Sequence, residues 1–245
     1  MKGFIRSTVA LTLIALTIAA LVFFRPTKLS LAASTSAAIF SQNFAGYADR
    51  NSKFTSVAGS WVVPSVKCAK TNQAVGIWVG IGGLTTDNDL EQDGTIAICD
   101  TAHHAQYLAF FEILPALAQI LNLPVRPGDR ISASVNLVRK GIFNFQLRDA
   151  NQGWSFSRQG KKSGAHLASA ECIVEAISDD KNHILPLVKF SPINISGCRA
   201  NGNSIGSGPS AVEVFMVSVK NGAFKAQPSD LSANGAAFSV QWEHN

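Results

Sequence analysis

Tyr107-Leu108-Ala109-Phe110-Phe111-Glu112-Ile113 and Glu171-Cys172-Ile173-Val174-Glu175 are the stretches on which the fold turns. Side chains alternate across a β-strand. The first stretch therefore splits into a face with Leu108, Phe110 and Glu112 and a face with Tyr107, Ala109, Phe111 and Ile113. The second places Glu171 and Glu175 on one side and Cys172 and Val174 on the other. In Trp78-Val79-Gly80-Ile81-Gly82, Trp78 and two glycines alternate with Val79 and Ile81. Each strand thus has an apolar side for a core, and the opposite sides collect Trp78, Glu112, Glu171 and Glu175. Such a set suits a solvent-lined groove on a concave sheet, although charged residues also occupy any half-solvated sheet face.

Outward from these strands the pattern repeats. Short runs at 59–63, 75–81, 130–138, 142–148 and 237–242 have strand length and are punctuated by Gly, Asn, Asp and Pro. The expectation is an all-β fold, an antiparallel sandwich or barrel, in one domain over residues 43–245. Residues 34–42 read as a short linker. Pro115 to Leu123 is the one helix expected, stopped by Pro124. Pro127-Gly128-Asp129 reads as a turn, and Asn201 to Pro209, rich in Gly and Ser, as a loop.

Residues 1–33 read as a leader. Lys2 and Arg6 precede an unbroken apolar run from Ser7 to Phe24, followed by the small residues Ala32-Ala33-Ser34. This is the layout of a secretory signal, and the expected product is secreted. The alternative is an uncleaved N-terminal anchor on the outer face of a membrane, because a run of 18 residues without a charge just reaches the length of a bilayer span. Of the formal charge of +5, four cations (Lys2, Arg6, Arg25, Lys28) lie in the leader, so the remainder carries about +1. That body has no basic excess for a polyphosphate, which argues against nucleic acid as a partner. Four cysteines follow in the exported part. Nearest-neighbour pairing, Cys68 to Cys99 and Cys172 to Cys198, is one of three connectivities, and free buried thiols are the alternative. There is no C-x-x-C spacing for a structural zinc, and adjacent strand residues such as His103-His104 would face opposite ways, so no metal or cofactor is expected.

Read together, the segments resemble a known family. Asn43-Phe44-Ala45-Gly46-Tyr47, Phe54 through Pro64, Trp78-Val79-Gly80-Ile81-Gly82-Gly83, Leu90-Glu91-Gln92-Asp93-Gly94-Thr95, Tyr107 through Pro115, Ala170 through Glu175 and Phe238-Ser239-Val240-Gln241-Trp242 resemble, in order and spacing, the glutamic peptidases or eqolisins, peptidase family G1. The resemblance runs from Asn43 to the C-terminus. It implies a β-sandwich of two bent antiparallel sheets, similar to the concanavalin A-like group, with a polypeptide substrate lying across the concave face. It also implies a catalytic pair at Gln92 and Glu171, with Trp78, Phe110 and Glu112 as groove residues. Glu175, on the same face as Glu171 and four residues on, joins the substrate-binding set and competes with Glu171 for the acid/base role; periodicity alone does not separate them.

Amide hydrolysis without metal or covalent intermediate needs a base for water and a donor for the oxyanion. Glu171 as carboxylate suits the first role. The Gln92 side-chain NH₂ suits the second, and it is a donor at any pH. Such a pair suits acidic media, and the expected protein is an acid-acting endopeptidase, with a monomer as the expected state. Three positions depart from the family pattern: Gly82 for an Asp, Cys172 for the Trp after the catalytic Glu, and Phe110 for a groove Trp. Two other classes remain open at this level: a secreted carbohydrate-binding module stacking sugars on Trp78, Phe110 and Trp154, and a paired-carboxylate glycosidase built on Glu112 with Glu171 or Glu175.

Overall fold

Backbone amides and carbonyls buried in a core must be paired, and among the described residues the strands pair them with one another. The structure, a computed structural model, describes residues 37–84 and 89–244, so the leader lies outside the described residues. In chain order the strands are β1 (Ala37–Ser41), β2 (Phe44–Arg50), β3 (Ser56–Val62), β4 (Val66–Lys67), β5 (Ala74–Gly82), β6 (Leu90–Cys99), β7 (Ala105–Ile113), β8 (Gln119–Leu121) and β9 (Arg130–Arg139). They continue with β10 (Ile142–Asp149), β11 (Trp154–Lys161), β12 (Ser169–Glu175), β13 (Lys189–Phe190), β14 (Ile193–Ala200), β15 (Asn203–Ser204), β16 (Ala211–Val217), β17 (Phe224–Pro228) and β18 (Phe238–Trp242).

Hydrogen bonding links them in the order β11-β10-β9-β3-β14-β18-β17-β16-β2-β12-β5-β6-β7-β8, with β13 and β4 as a separate ribbon. The path doubles back on itself as a sandwich. Ile77, Val79 and Ile81 of β5, Phe111 of β7 and Val174 of β12 pack in one core with Trp61 of β3, Val135 of β9 and Phe143, Phe145 and Leu147 of β10. The buried indole of Trp61 donates to Thr95 Oγ1 at 2.9 Å, so this polar atom is not stranded between the layers. A second apolar cluster lies on the other face of the β2/β12/β5/β6/β7 half and includes Trp78, Leu90, Ile96, Phe110 and Ile173. The alternation read in the sequence holds in all three strands that defined it.

Disulfides join Cys68 to Cys99 and Cys172 to Cys198. The second ties β12 to β14, across the two layers, directly behind Glu171.

Three local expectations change. Ala37–Ser41, inside the segment read as a linker, is strand β1 and pairs parallel to β16, whose outer edge would otherwise be open. The helix expected over Pro115 to Leu123 is absent. Its centre is β8, whose pairing with Ala109–Phe111 covers the edge of β7; a nine-residue helix offers less than that ladder. His103 and His104 lie in the turn between β6 and β7 rather than in a strand.

The core also holds acids. Glu91 and Asp93, on the inward face of β6, are fully buried. Burial, followed by the charge of Asp89, pushes the Glu91 carboxyl up to about 8, with Lys162 partly offsetting it. Burial likewise holds the Asp93 carboxyl well above the ordinary carboxylate range. A carboxyl whose pKa is raised on folding binds more protons folded than unfolded. Its contribution is complete below the unfolded value of ~4.3 and is lost as pH climbs through about 8. The melting temperature should therefore fall steadily from pH 4.5 to pH 8.5, and Glu91→Gln should flatten that fall; a melting temperature that rises over the same range would contradict this reading.

Candidate active site

Antiparallel register puts one residue of each strand in a common row, and residues of one row point to the same face. Glu171 pairs with Ala48 on β2 and with Gly80 on β5. Gly80 also pairs with Gln92 on β6, and Gln92 with Glu112 on β7. Ala48, Glu171, Gly80, Gln92 and Glu112 thus form one row across five strands. Gln92 and Glu171 flank a glycine, with Cα atoms two strand spacings or ~10 Å apart, and their side chains point to the same side. Trp78, Phe110 and Ile173 lie in the next row with Gly94. Glu175 lies in the row of Gly76, four residues or ~13 Å along the strand from the row of Gln92.

Each polar side chain has defined partners. Gln92 Nε2 donates to Glu112 Oε2 at 2.6 Å, which orients the amide and leaves its second N–H available. Ser169 Oγ lies 2.6 Å from Glu171 Oε1 and also 2.6 Å from the Gly82 carbonyl oxygen. Glu175 accepts from Trp78 Nε1 at 2.7 Å and from Asn43 Nδ2 at 3.2 Å. These bonds fix Glu175 to the tryptophan and to the start of β2.

Burial is the first cause of every carboxyl shift here. It raises Glu171 well above its ordinary value, against hydrogen bonds from Ser169 and the Leu84 backbone, and the charges of Glu91 and Asp89 add to the rise. It raises Glu112 against the Gln92 hydrogen bond. Glu175 is pushed up to about 8 by burial and by the charge of Glu112, with Trp78 and Asn43 offsetting part.

A cleft of about 440 Å³ opens on this face and is lined by Gln92, Glu112 and Glu175 over a floor of Phe44, Ile96 and Phe110. Glu171 is 0% exposed and does not line it. The reason lies above Gly80. A Cβ there would sit 2.7 Å from Leu90 Cδ1 and 3.0 Å from Trp78 Cζ3, so these two side chains fill the space the glycine leaves between Gln92 and Glu171. A second hollow of about 460 Å³, on the outer face of β3, β9, β10 and β11, has five serines in its lining and holds no acid. Among the described residues no group of three or more metal-ligating side chains occurs.

Sequence reasoning named Gln92, Glu171, Trp78, Phe110, Glu112 and Glu175, and the register brings all six to one face. It missed Asn43, Leu90 and Ser169. Ser169 shares its face with Glu171 by simple alternation, which was the available signal. Leu90 and Asn43 act through contacts that span strands, which alternation does not specify.

The register thus sets an amide and a carboxylate on one face of an all-β fold, in one row with a glycine between them. A family model described as the Peptidase A4 family matches residues 42–242. The chain belongs to this family, the glutamic peptidases or eqolisins, and is a glutamic endopeptidase by class. That assignment selects the peptidase reading over the carbohydrate-binding and glycosidase alternatives. Among solved structures, scytalido-glutamic peptidase with a transition-state analogue inhibitor is similar at 20% identity, covering 82% of this chain and 98% of that one, with a TM-score of 0.72. SCP-B, an eqolisin in complex with the tripeptide Ala-Ile-His, is similar at 19% identity over 82% of this chain and 98% of its own, with a TM-score of 0.66. Aspergilloglutamic peptidase from Aspergillus niger is 19% identical over 70% and 99%, with a TM-score of 0.59. These likenesses show the sandwich fold. No curated protein sequence matches the chain.

The departure at Gly82 has a backbone cause. Gly82 has φ +97°, and a Cβ there would lie 2.1 Å from the carbonyl oxygen of Asp89. Only glycine fits this turn of the hairpin. Gly82→Asp, which would return the family's residue, should therefore lower the melting temperature by several degrees and fail to raise activity; a stable variant with higher activity would show that the hairpin rearranges freely.

Proposed function

We propose that this chain is a secreted, acid-acting endopeptidase in which Gln92 and Glu171 hydrolyse polypeptide substrates. The observation that carries the reading is the shared row: Glu171, and not Glu175, lies in the row of Gln92, with Gly80 the one residue between them in that row. The leader supports export, and a single sandwich bearing the whole row supports action as a monomer.

Chemistry follows from the two side chains. The Glu171 carboxylate takes a proton from water held between it and Gln92, and the resulting hydroxide attacks the scissile carbonyl. The free N–H of Gln92, oriented by Glu112, donates to the oxyanion. Glu171 then returns its proton to the leaving amine. Substrate entry displaces Leu90 from above Gly80, which exposes Glu171 to the cleft and admits the water. Phe110, on the floor of the cleft, provides apolar surface beside the scissile bond, and the buried Trp78 holds Glu175.

The pH dependence has a sign. As base, Glu171 works only when ionised, and burial raises its pKa, so activity should climb above the ~4.3 of a free glutamate. The fold loses its support as Glu91 and Glu175 ionise near about 8. Burial thus moves the acidic limb of the profile upward while the fold weakens towards pH 8, and the optimum is expected between the two.

Glu175 is the second reading, because it lines the open cleft with Gln92 whereas Glu171 is covered. Cleavage of an unfolded protein substrate without added metal separates the two. Gln92→Ala and Glu171→Ala should each lower kcat by about 10²- to 10³-fold or more, with Glu175→Ala retaining measurable activity. Full activity in Glu171→Ala with loss in Glu175→Ala would transfer the role, and activity rising through neutrality into alkaline pH would exclude the scheme.

A further inference from the structure

Glu171 is wholly buried, so whatever holds its carboxyl must come from the protein. Ser169 is also wholly buried and stands two residues before it on the same face. Its Oγ is 2.6 Å from both Glu171 Oε1 and the Gly82 carbonyl. A hydroxyl has one proton, so it donates to one of these at a time. The Gly82 carbonyl already accepts from the Leu84 N–H at 3.0 Å, so it tolerates either state.

We propose that Ser169 is the positioning residue of Glu171, a hydroxyl that turns between the Glu171 carboxylate and the Gly82 carbonyl as the proton moves on and off Glu171. This rests on the Gln92/Glu171 reading and adds the device that lets a buried carboxyl change charge without losing its place. With Glu171 ionised, Ser169 donates to it. After Glu171 has taken the proton of water, the Glu171 O–H donates to Ser169 Oγ and the serine proton turns to the Gly82 carbonyl. When the proton passes to the leaving amine, both bonds revert. No proton is gained or lost by Ser169 over the cycle. The glycine at 82 is part of the device, because its carbonyl is the second acceptor.

The other charged groups around this carboxyl are accounted for. Glu91 and Asp89 on the β6 side disfavour its charge. Asp89 is itself held by the His166 ring nitrogen at 2.9 Å and lies 3.9 Å from Lys162 Nζ. On β2, Arg50 stands opposite Ser169 in register. On β7, Glu112 is engaged by Gln92. The Leu84 backbone N–H also supports the charge of Glu171, and it is unchanged in the variants below.

The bond to the charged state is the stronger of the two, so its loss has a direction. The full chain is assayed on a fluorogenic peptide chosen from its own cleavages of unfolded protein, as wild type, Ser169→Ala, Ser169→Thr, Ser169→Cys and Glu171→Ala. Ser169→Ala is expected to lower kcat about tenfold or more, leave KM within about twofold, and move the acidic limb of the pH profile upward by roughly one unit. Ser169→Thr keeps the hydroxyl and should restore the wild-type limb. Ser169→Cys, close in size but a weak donor, should shift the limb in the direction of Ala, and it decides the matter if the alanine variant does not fold. Wild-type kcat and an unmoved limb in a folded Ala or Cys variant, with Glu171→Ala inactive, overturn the role of Ser169 and leave the catalytic pair standing. An active Glu171→Ala overturns both.

Discussion

Gly80 is flanked on β12 by Glu171 and on β6 by Gln92, and the rest of the site depends on that register. Because side-chain direction has period two, a one-residue slip of β12 or β6 would send its polar residue into the core and bring an apolar one out. Several features oppose such a slip. Cys172, next to Glu171, is bonded to Cys198 of the opposite layer. Gly94 lets β6 approach β5 so closely that a Cβ there would lie 2.1 Å from the Ile77 carbonyl oxygen. The glycines are therefore as much a part of the site as the acids: Gly80 leaves room between the pair, and Gly82 turns the hairpin that carries Gln92.

A concentration of acids is the electrostatic counterpart of this arrangement. Glu112, Glu171 and Glu175 share one face, and Glu91 and Asp93 lie behind it in the core. A fourth carboxylate at position 92 would crowd that face further. A glutamine supplies a neutral donor that Glu112 can orient, and its proton does not depend on pH. Burial pushes Glu91, Glu112, Glu171 and Glu175 upward together, and neighbouring carboxylates add to the rise at Glu91, Glu171 and Glu175, so the fold is most stable on the acid side of neutrality.

Much of this was legible from residues alone. Alternation in β5, β7 and β12 sorted the two faces of the sheet, although Trp78 and Glu171, expected in an open groove, are buried and do not line the cleft, and the ordered segments pointed to the family and its sandwich. Alternation could not choose between Glu171 and Glu175, because both obey the same period; the choice needs the pairing of three strands. Nor did it foresee β8, whose reason for being a strand is the open edge of β7, or β1, whose partner β16 lies far along the chain. Leu90 was read only as part of a motif, and its position over Gly80 follows from how the hairpin folds across the neighbouring strand. Local patterns carry faces; long-range pairing decides which residues on those faces meet.

The central claim is that Glu171 and Gln92 address one reacting carbon together. The most direct measurement is a crystal structure of the protein with a peptide whose scissile carbonyl is replaced by a tetrahedral, non-hydrolysable group. The account expects Leu90 moved aside, Gln92 Nε2 and a Glu171 carboxyl oxygen each within hydrogen-bonding reach of that group, and Glu175 still bound to Trp78. A tetrahedral group held by Glu175, with Glu171 still covered by Leu90, would contradict it.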